Sequence, residues 1–263
     1  HGDEFGVGRG VVVGFAQVER LGDDLPATIH HRAHGHFTHG GGFVGCFTEC
    51  GGLESVPIAA LSGIKVISVD YRLAPAAKVP EASEDAAVVY REVLKRTSAA
   101  SVGIFGCSAG GSLTAQSLSY FQQQELPRPA AAGIYCAGGA SGGDSAILGR
   151  MLGDGEPPPG APRADGAAGT GYLRGAPLDD PVAYPSKHPK VLAQFPPTLV
   201  IVGTRDFALS AAVKLHGQLV ANGVDARLHV WDGLRHAFFY DVRMPESKEA
   251  YLVMAKFFAD RLR

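Results

Sequence analysis

Apolar runs of strand character alternate with longer amphipathic stretches along most of the chain, and this alternation restricts the fold more than any other feature. The runs are VVVGFAQV (11–18), IKVISVD (64–70), SVGIF (101–105), AAGIYC (131–136), TLVIVG (198–203) and ARLHVW (226–231). Helical character marks residues 53–62, 82–96, 109–124, 208–222 and 247–262. In the last of these, EAYLVMAKFFADRL, apolar residues return at three- and four-residue intervals. Strand–helix alternation predicts an α/β fold, a mainly parallel sheet with helices on both faces. At 263 residues, of which 46% are hydrophobic and 19% charged, the chain suits one large packed domain spanning 1–263.

The charge pattern excludes several partners. Net charge is −2 with Lys and Arg scattered, so the chain lacks the basic stripe that nucleic acid requires. Runs such as TLVIV (198–202) fall far short of the ~20 apolar residues that cross a bilayer. No charged start leading into an apolar segment is visible after His1, and four cysteines are too few for a disulfide framework. The one asparagine, Asn222, precedes Gly-Val and forms no glycosylation sequon. A cytoplasmic location is the expectation.

Residues 137–175 break the rhythm with a run rich in Gly, Ala and Pro. A loop of that length inside a compact domain points to a functional insertion, a lid or cap placed at approximately 137–190. The alternative is a solvated surface excursion.

The stretch SVGIFGCSAGGSLTAQSL carries the chemistry. It sets Gly106-Cys107-Ser108-Ala109-Gly110 between a β-branched strand and a helix, the G-x-S-x-G nucleophile elbow in its required context. Such a turn exposes the serine hydroxyl at a helix N-terminus, where the amide dipoles favour developing negative charge. A serine at neutral pH needs a base, and the base needs an orienting acid, in the order Ser, acid, His. TLVIVG leads into Asp206, and ARLHVW leads into His236, which makes Ser108, Asp206 and His236 the expected catalytic set. Asp206 could instead cap the helix that follows. Asp232 is a rival acid, but it lies only four residues before His236 on the same turn. His229, inside a strand, reads as a packed side chain.

Acyl transfer also needs backbone N–H donors aimed at the oxyanion. The sequence His39-Gly40-Gly41-Gly42 is the loop suited to supply them. Gly41, Gly42 and Ala109 are the expected oxyanion donors, with His39 and Gly40 supporting the loop. The preceding AHGHFT is unusual, because a central parallel strand there should be rich in Val, Ile and Leu. His34 and His36 alternate at strand period, and with His30, Cys46 or Cys50 they raise the question of a metal. No C-x-x-C pairing accompanies them, so neither a metal nor a cofactor is expected. The rest of the cluster, with His31, has no assigned role.

With HGGGF, DYRLAP (70–75), GCSAGG and the late Asp and His in order, the chain resembles the bacterial hormone-sensitive-lipase-like esterases of the α/β-hydrolase superfamily. The resemblance runs from about residue 11 to the C-terminus. It implies a mostly parallel eight-stranded sheet, a small cap and cofactor-free cleavage of short-chain carboxylic esters, the substrate being a small-molecule ester. Phe43, Phe207 and Phe238 are then expected to line the substrate pocket, and the strand near 226–231 to be an edge on which a homodimer could form. Amidase, lactonase or formamidase activity would use the same apparatus, and a non-catalytic binder could share the fold. The chain departs from the family pattern at Cys107, where aspartate is usual, in DFALSA after the acid, and at Ala237, where glycine is usual. Only about ten residues precede the first predicted strand, so an N-terminal cap is expected to be short or absent.

Overall fold

The computed structural model describes residues 11–14, 42–45, 47–138, 145 and 171–262. The strands are β1 (Val11–Gly14), β2 (Lys65–Ser68), β3 (Val102–Cys107), β4 (Ala131–Tyr135), β5 (Thr198–Gly203) and β6 (Ala226–Trp231). The helices are α1 (Phe47–Ser62), α2 (Glu81–Leu94), α3 (Ala109–Gln123), the short α4 (Pro189–Leu192), α5 (Leu209–Ala221) and α6 (Pro245–Ala259). Among the described residues one sheet forms in the order β2-β1-β3-β4-β5-β6, and every neighbouring pair is parallel. The resemblance implies eight strands, and the described residues contain six of them.

Side-chain alternation sorts the helices onto the two faces. Val102 and Ile104 of β3, with Ala132 and Ile134 of β4, pack with Ala86 and Tyr90 of α2 and Leu113 and Phe121 of α3. Phe105 and Cys107, with Ala131 and Tyr135, turn the other way, toward Ile58 of α1 and Met254, Phe257 and Phe258 of α6. Val200 and Val202 of β5 meet Ala212 of α5. This period of two is what a strand covered on both faces requires, and it explains why β3, β4 and β5 are buried at every position. β6 is only partly buried, in keeping with its place at the sheet edge.

β1, whose VVVG sequence is rich in β-branched residues, pairs with both β2 and β3. The AHGHFT segment, expected as a central strand, lies outside the described residues. His30, His31, His34, His36, His39, Gly40, Gly41 and Cys46 lie outside the described residues.

Most of the expected cap insertion, residues 139–144 and 146–170, also lies outside them. The segment that returns at 171 bonds along α3: Gln116 Nε2 donates to the Ala183 carbonyl at 3.3 Å, Ser119 Oγ to that of Pro181 at 2.7 Å and Gln122 Nε2 to that of Val191 at 3.1 Å. No helix among the described residues is long and apolar enough to cross a membrane.

Phe258 is fully buried, its ring 5.8 Å from that of Phe105, whereas Leu252 on the same helix is 43% exposed. Phe258→Ala should therefore cost about 3–5 kcal/mol, and Leu252→Ala should stay within about 0.5 kcal/mol. Urea denaturation of both variants checks this, and equal losses would contradict the packing of α6 on β3.

Candidate active site

β3 ends inside the sheet and the chain turns at once into α3. Ser108 occupies the turn at φ 56°, ψ −120°, a conformation that side chains other than glycine rarely adopt. Its N–H donates to the Tyr135 carbonyl at 2.8 Å, and its carbonyl accepts from Ser112 N–H at 3.0 Å, so the turn is held by β4 on one side and α3 on the other. Gly106 is required here because a Cβ at that position would run into the Gly110 backbone. The hydroxyl is left at the N-terminus of α3, whose first-turn amides have no partners within the helix.

The two strands that follow deliver the other groups at the same end of the sheet. Thr204 N–H donates to the Trp231 carbonyl at 2.9 Å and Arg205 N–H to that of Leu234 at 3.0 Å, which ties the turn after β5 to the turn after β6. His236 Nε2 lies 2.8 Å from Ser108 Oγ, and His236 Nδ1 lies 2.8 Å from Asp206 Oδ1. The tautomer that uses both contacts carries its proton on Nδ1, donates it to Asp206 and leaves Nε2 to accept from the serine. Asp206 Oδ1 also accepts from Ala208 N–H at 2.8 Å, so this carboxylate oxygen braces the turn leading into α5 and faces His236 at once. Asp232 is exposed and accepts from Thr204 Oγ1 at 3.1 Å. His229 stands in β6, its ring 5.9 Å from that of Trp231.

The aromatic residues expected to line the pocket take different places. The Phe207 ring stacks on His236 with centroids 4.2 Å apart and is partly exposed beside the site. Ser145, from the expected cap, anchors next to it by donating from Oγ to the Phe207 carbonyl at 3.0 Å. Phe43 follows Gly42, both at positive φ, and its buried ring stacks on Tyr172 at 4.0 Å. Phe238 is buried against Trp231 and Phe239.

A family model described as alpha/beta hydrolase fold matches residues 36–240. The chain belongs to the α/β-hydrolases. Among solved structures it is similar to an esterase, E25, at 31% identity and a TM-score of 0.76, covering 97% of this chain and 70% of that one. It is similar to an esterase from the bacterial hormone-sensitive lipase family at 27% identity and a TM-score of 0.71, covering 86% and 75%. An esterase/lipase from an uncultured bacterium aligns at 25% identity and a TM-score of 0.74, covering 99% and 79%. No curated protein matches at the sequence level. The hormone-sensitive-lipase-like resemblance is thereby upheld, and carboxylic ester hydrolase is the enzyme class of this group.

Behind the elbow this α/β-hydrolase carries a buried polar cluster that sequence reasoning missed. Glu54 of α1, 3% exposed, accepts from the Cys107 N–H at 3.1 Å through Oε2 and from the Tyr240 hydroxyl at 2.5 Å through Oε1. Cys136 Sγ accepts from the Ala237 N–H at 3.3 Å. Burial pushes both the Cys107 and the Cys136 thiols up, so they stay protonated and pack as small apolar groups. Cys136, Asp206 and His236 offer possible metal-ligand atoms within 4.8 Å of one another. Both ring nitrogens of His236 and Oδ1 of Asp206 are already engaged, however, and burial keeps the Cys136 thiol protonated. The one available sequence signal for Glu54 was a carboxylate sharing a helix face with Ile58 and Ser62.

Burial pushes the Glu54 carboxyl up to about 8 from an ordinary 4.5, with the bonds from Tyr240 and Cys107 opposing the shift. Between those values the folded state holds a proton that the unfolded chain has lost, so stability falls as pH rises through this window and levels above it. The slope from this group is at most about 1.4 kcal/mol per pH unit. Urea midpoints at pH 5.5 and 8.5 should drop further for the wild type than for Glu54→Gln, and identical drops would contradict the assignment.

Proposed function

We propose that this chain is a serine carboxylesterase that hydrolyses short-chain acyl esters through an acyl-enzyme. The observation that carries the reading is the unbroken chain of contacts from Ser108 Oγ through both nitrogens of His236 to Asp206, at 2.8 Å each, at the carboxyl ends of β3, β5 and β6.

Ser108 Oγ attacks the ester carbonyl carbon while its proton passes to His236 Nε2. Asp206 holds the ring by Nδ1–H and stabilises the imidazolium that forms. The negative charge on the former carbonyl oxygen is met by the backbone N–H of Ala109, in the first turn of α3, and by those of Gly41 and Gly42. His236 then returns the proton to the leaving alcohol oxygen as the carbon–oxygen bond breaks, leaving the acyl group on Ser108. Water attacks the acyl-enzyme with His236 again as base, which releases the acid and restores the serine. Phe207, stacked on the ring, limits the positions His236 can take and offers an apolar wall to the acyl or alcohol group. The cap insertion would bound the pocket from above. The edge strand β6, with Val230 exposed, is where two copies would pair if the protein dimerises.

Hydrolysis of p-nitrophenyl acetate, butyrate and octanoate tests the mechanism. Ser108→Ala should lower kcat by a factor on the order of 10⁴ or more, and Asp206→Asn by about 10³–10⁴ through loss of the working tautomer. A chelator should leave the wild type unaffected, and activity should decline toward octanoate. A folded Ser108→Ala protein that keeps its turnover would sink the proposal.

A further inference from the structure

Glu54 bridges two backbone segments that carry reacting groups. In β3 successive N–H groups point alternately toward β1 and β4, and the Ser108 N–H is directed to β4, where it meets the Tyr135 carbonyl. The Cys107 N–H therefore points toward the β1 side. A buried donor there needs an acceptor. Glu54 Oε2 takes it at 3.1 Å. The other oxygen of the same carboxyl receives the Tyr240 hydroxyl, and Tyr240 closes the short 3-10 turn Phe238–Tyr240 that begins two residues after His236. That turn opens with Ala237 at φ 52°, ψ 33°, a left-handed residue that needs outside support. The flanking groups are rigid: Tyr251 Oη donates to the Leu53 carbonyl at 2.6 Å, which fixes α1 beside Glu54.

We infer that Glu54 is a positioning residue for this site, its carboxyl clamping the residue before Ser108 to the turn after His236 so that hydroxyl and imidazole keep their contact. The inference rests on the ester-hydrolysis reading above. It predicts an effect on the chemical step and not on ester binding, because neither oxygen of Glu54 faces the hydroxyl side of the elbow. A displacement of a fraction of an ångström between nucleophile and base is enough to slow attack strongly. An amide in place of the carboxyl keeps an acceptor for the Cys107 N–H and offers a donor to the Tyr240 oxygen, so Glu54→Gln should preserve the clamp.

The test compares wild type, Glu54→Ala, Glu54→Gln, Tyr240→Phe and Ser108→Ala on p-nitrophenyl butyrate. Rates are normalised to active sites titrated with an organophosphonate, or to folded protein for Ser108→Ala, which lacks the titrated hydroxyl, and folding is checked by near-UV circular dichroism. Glu54→Ala should lose about 30–100-fold in kcat with KM within about threefold, and Tyr240→Phe about 3–10-fold. Glu54→Gln should stay within about threefold of wild type. If Glu54→Ala does not fold, Tyr240→Phe and Glu54→Gln carry the comparison. A folded Glu54→Ala or Tyr240→Phe with wild-type kcat per titrated site overturns the inference, as does a Glu54→Gln variant as slow as Glu54→Ala. Should Ser108→Ala itself retain turnover, the ester-hydrolysis reading fails, a result separate from any of these.

Discussion

The backbone of Ser108 is bent into a region that costs a non-glycine residue about 1–3 kcal/mol, and the arrangement at this end of the sheet depends on its staying there. The bend points the hydroxyl away from the sheet and at His236, 128 residues later in the chain. Three restraints hold it. The Tyr135 carbonyl takes its N–H, the first turn of α3 takes its carbonyl, and the absence of a side chain at Gly106 lets α3 close over the end of β3. A Cβ at 106 would force α3 away, and the serine would move with it.

A parallel sheet makes this convergence possible. Because β3, β4, β5 and β6 run the same way, the residues that leave their carboxyl ends all emerge on one side, and chemistry gathered from distant parts of the sequence meets there. The turns after β5 and β6 are further tied together by Thr204, whose N–H meets Trp231 and whose hydroxyl reaches Asp232 and accepts from the Gly233 N–H at 2.7 Å. Asp232 is thus engaged in shaping the turn, which leaves Asp206 to face the imidazole. The turn bond from Ala208 and the contact to His236 are two uses of one carboxylate oxygen.

Beneath this surface the interior carries an ionisable group of uncommon kind. Glu54 is surrounded by Cys107, Tyr135, Tyr240 and Tyr251, and desolvation keeps it protonated through neutral pH. A neutral carboxyl in that place satisfies the buried Cys107 N–H without leaving a full negative charge in the interior. The departure at Cys107 fits the same economy: with a carboxyl already supplied from α1, a small apolar thiol fills the position before the nucleophile.

Much of this was legible from local patterns. Periodicity located the six strands and every helix but the short α4, most of them to within a few residues although α1 begins six residues earlier than expected, because a strand's pleat and a helix's turn are imprinted on neighbouring residues. The elbow was legible too, since its glycines answer a steric demand within five residues, and so was the order of Ser108, Asp206 and His236. What only the tertiary structure decided were contacts between residues far apart in sequence and unmarked by any local pattern. How Asp232 is engaged by Thr204 while Asp206 meets the ring depends on how the two folded turns lie together. The pairing of Val11–Gly14 with both β2 and β3 is likewise a contact that no local pattern specifies. The Glu54 bridge spans 53 residues to Cys107 and 186 to Tyr240, separations that no run of neighbouring residues encodes.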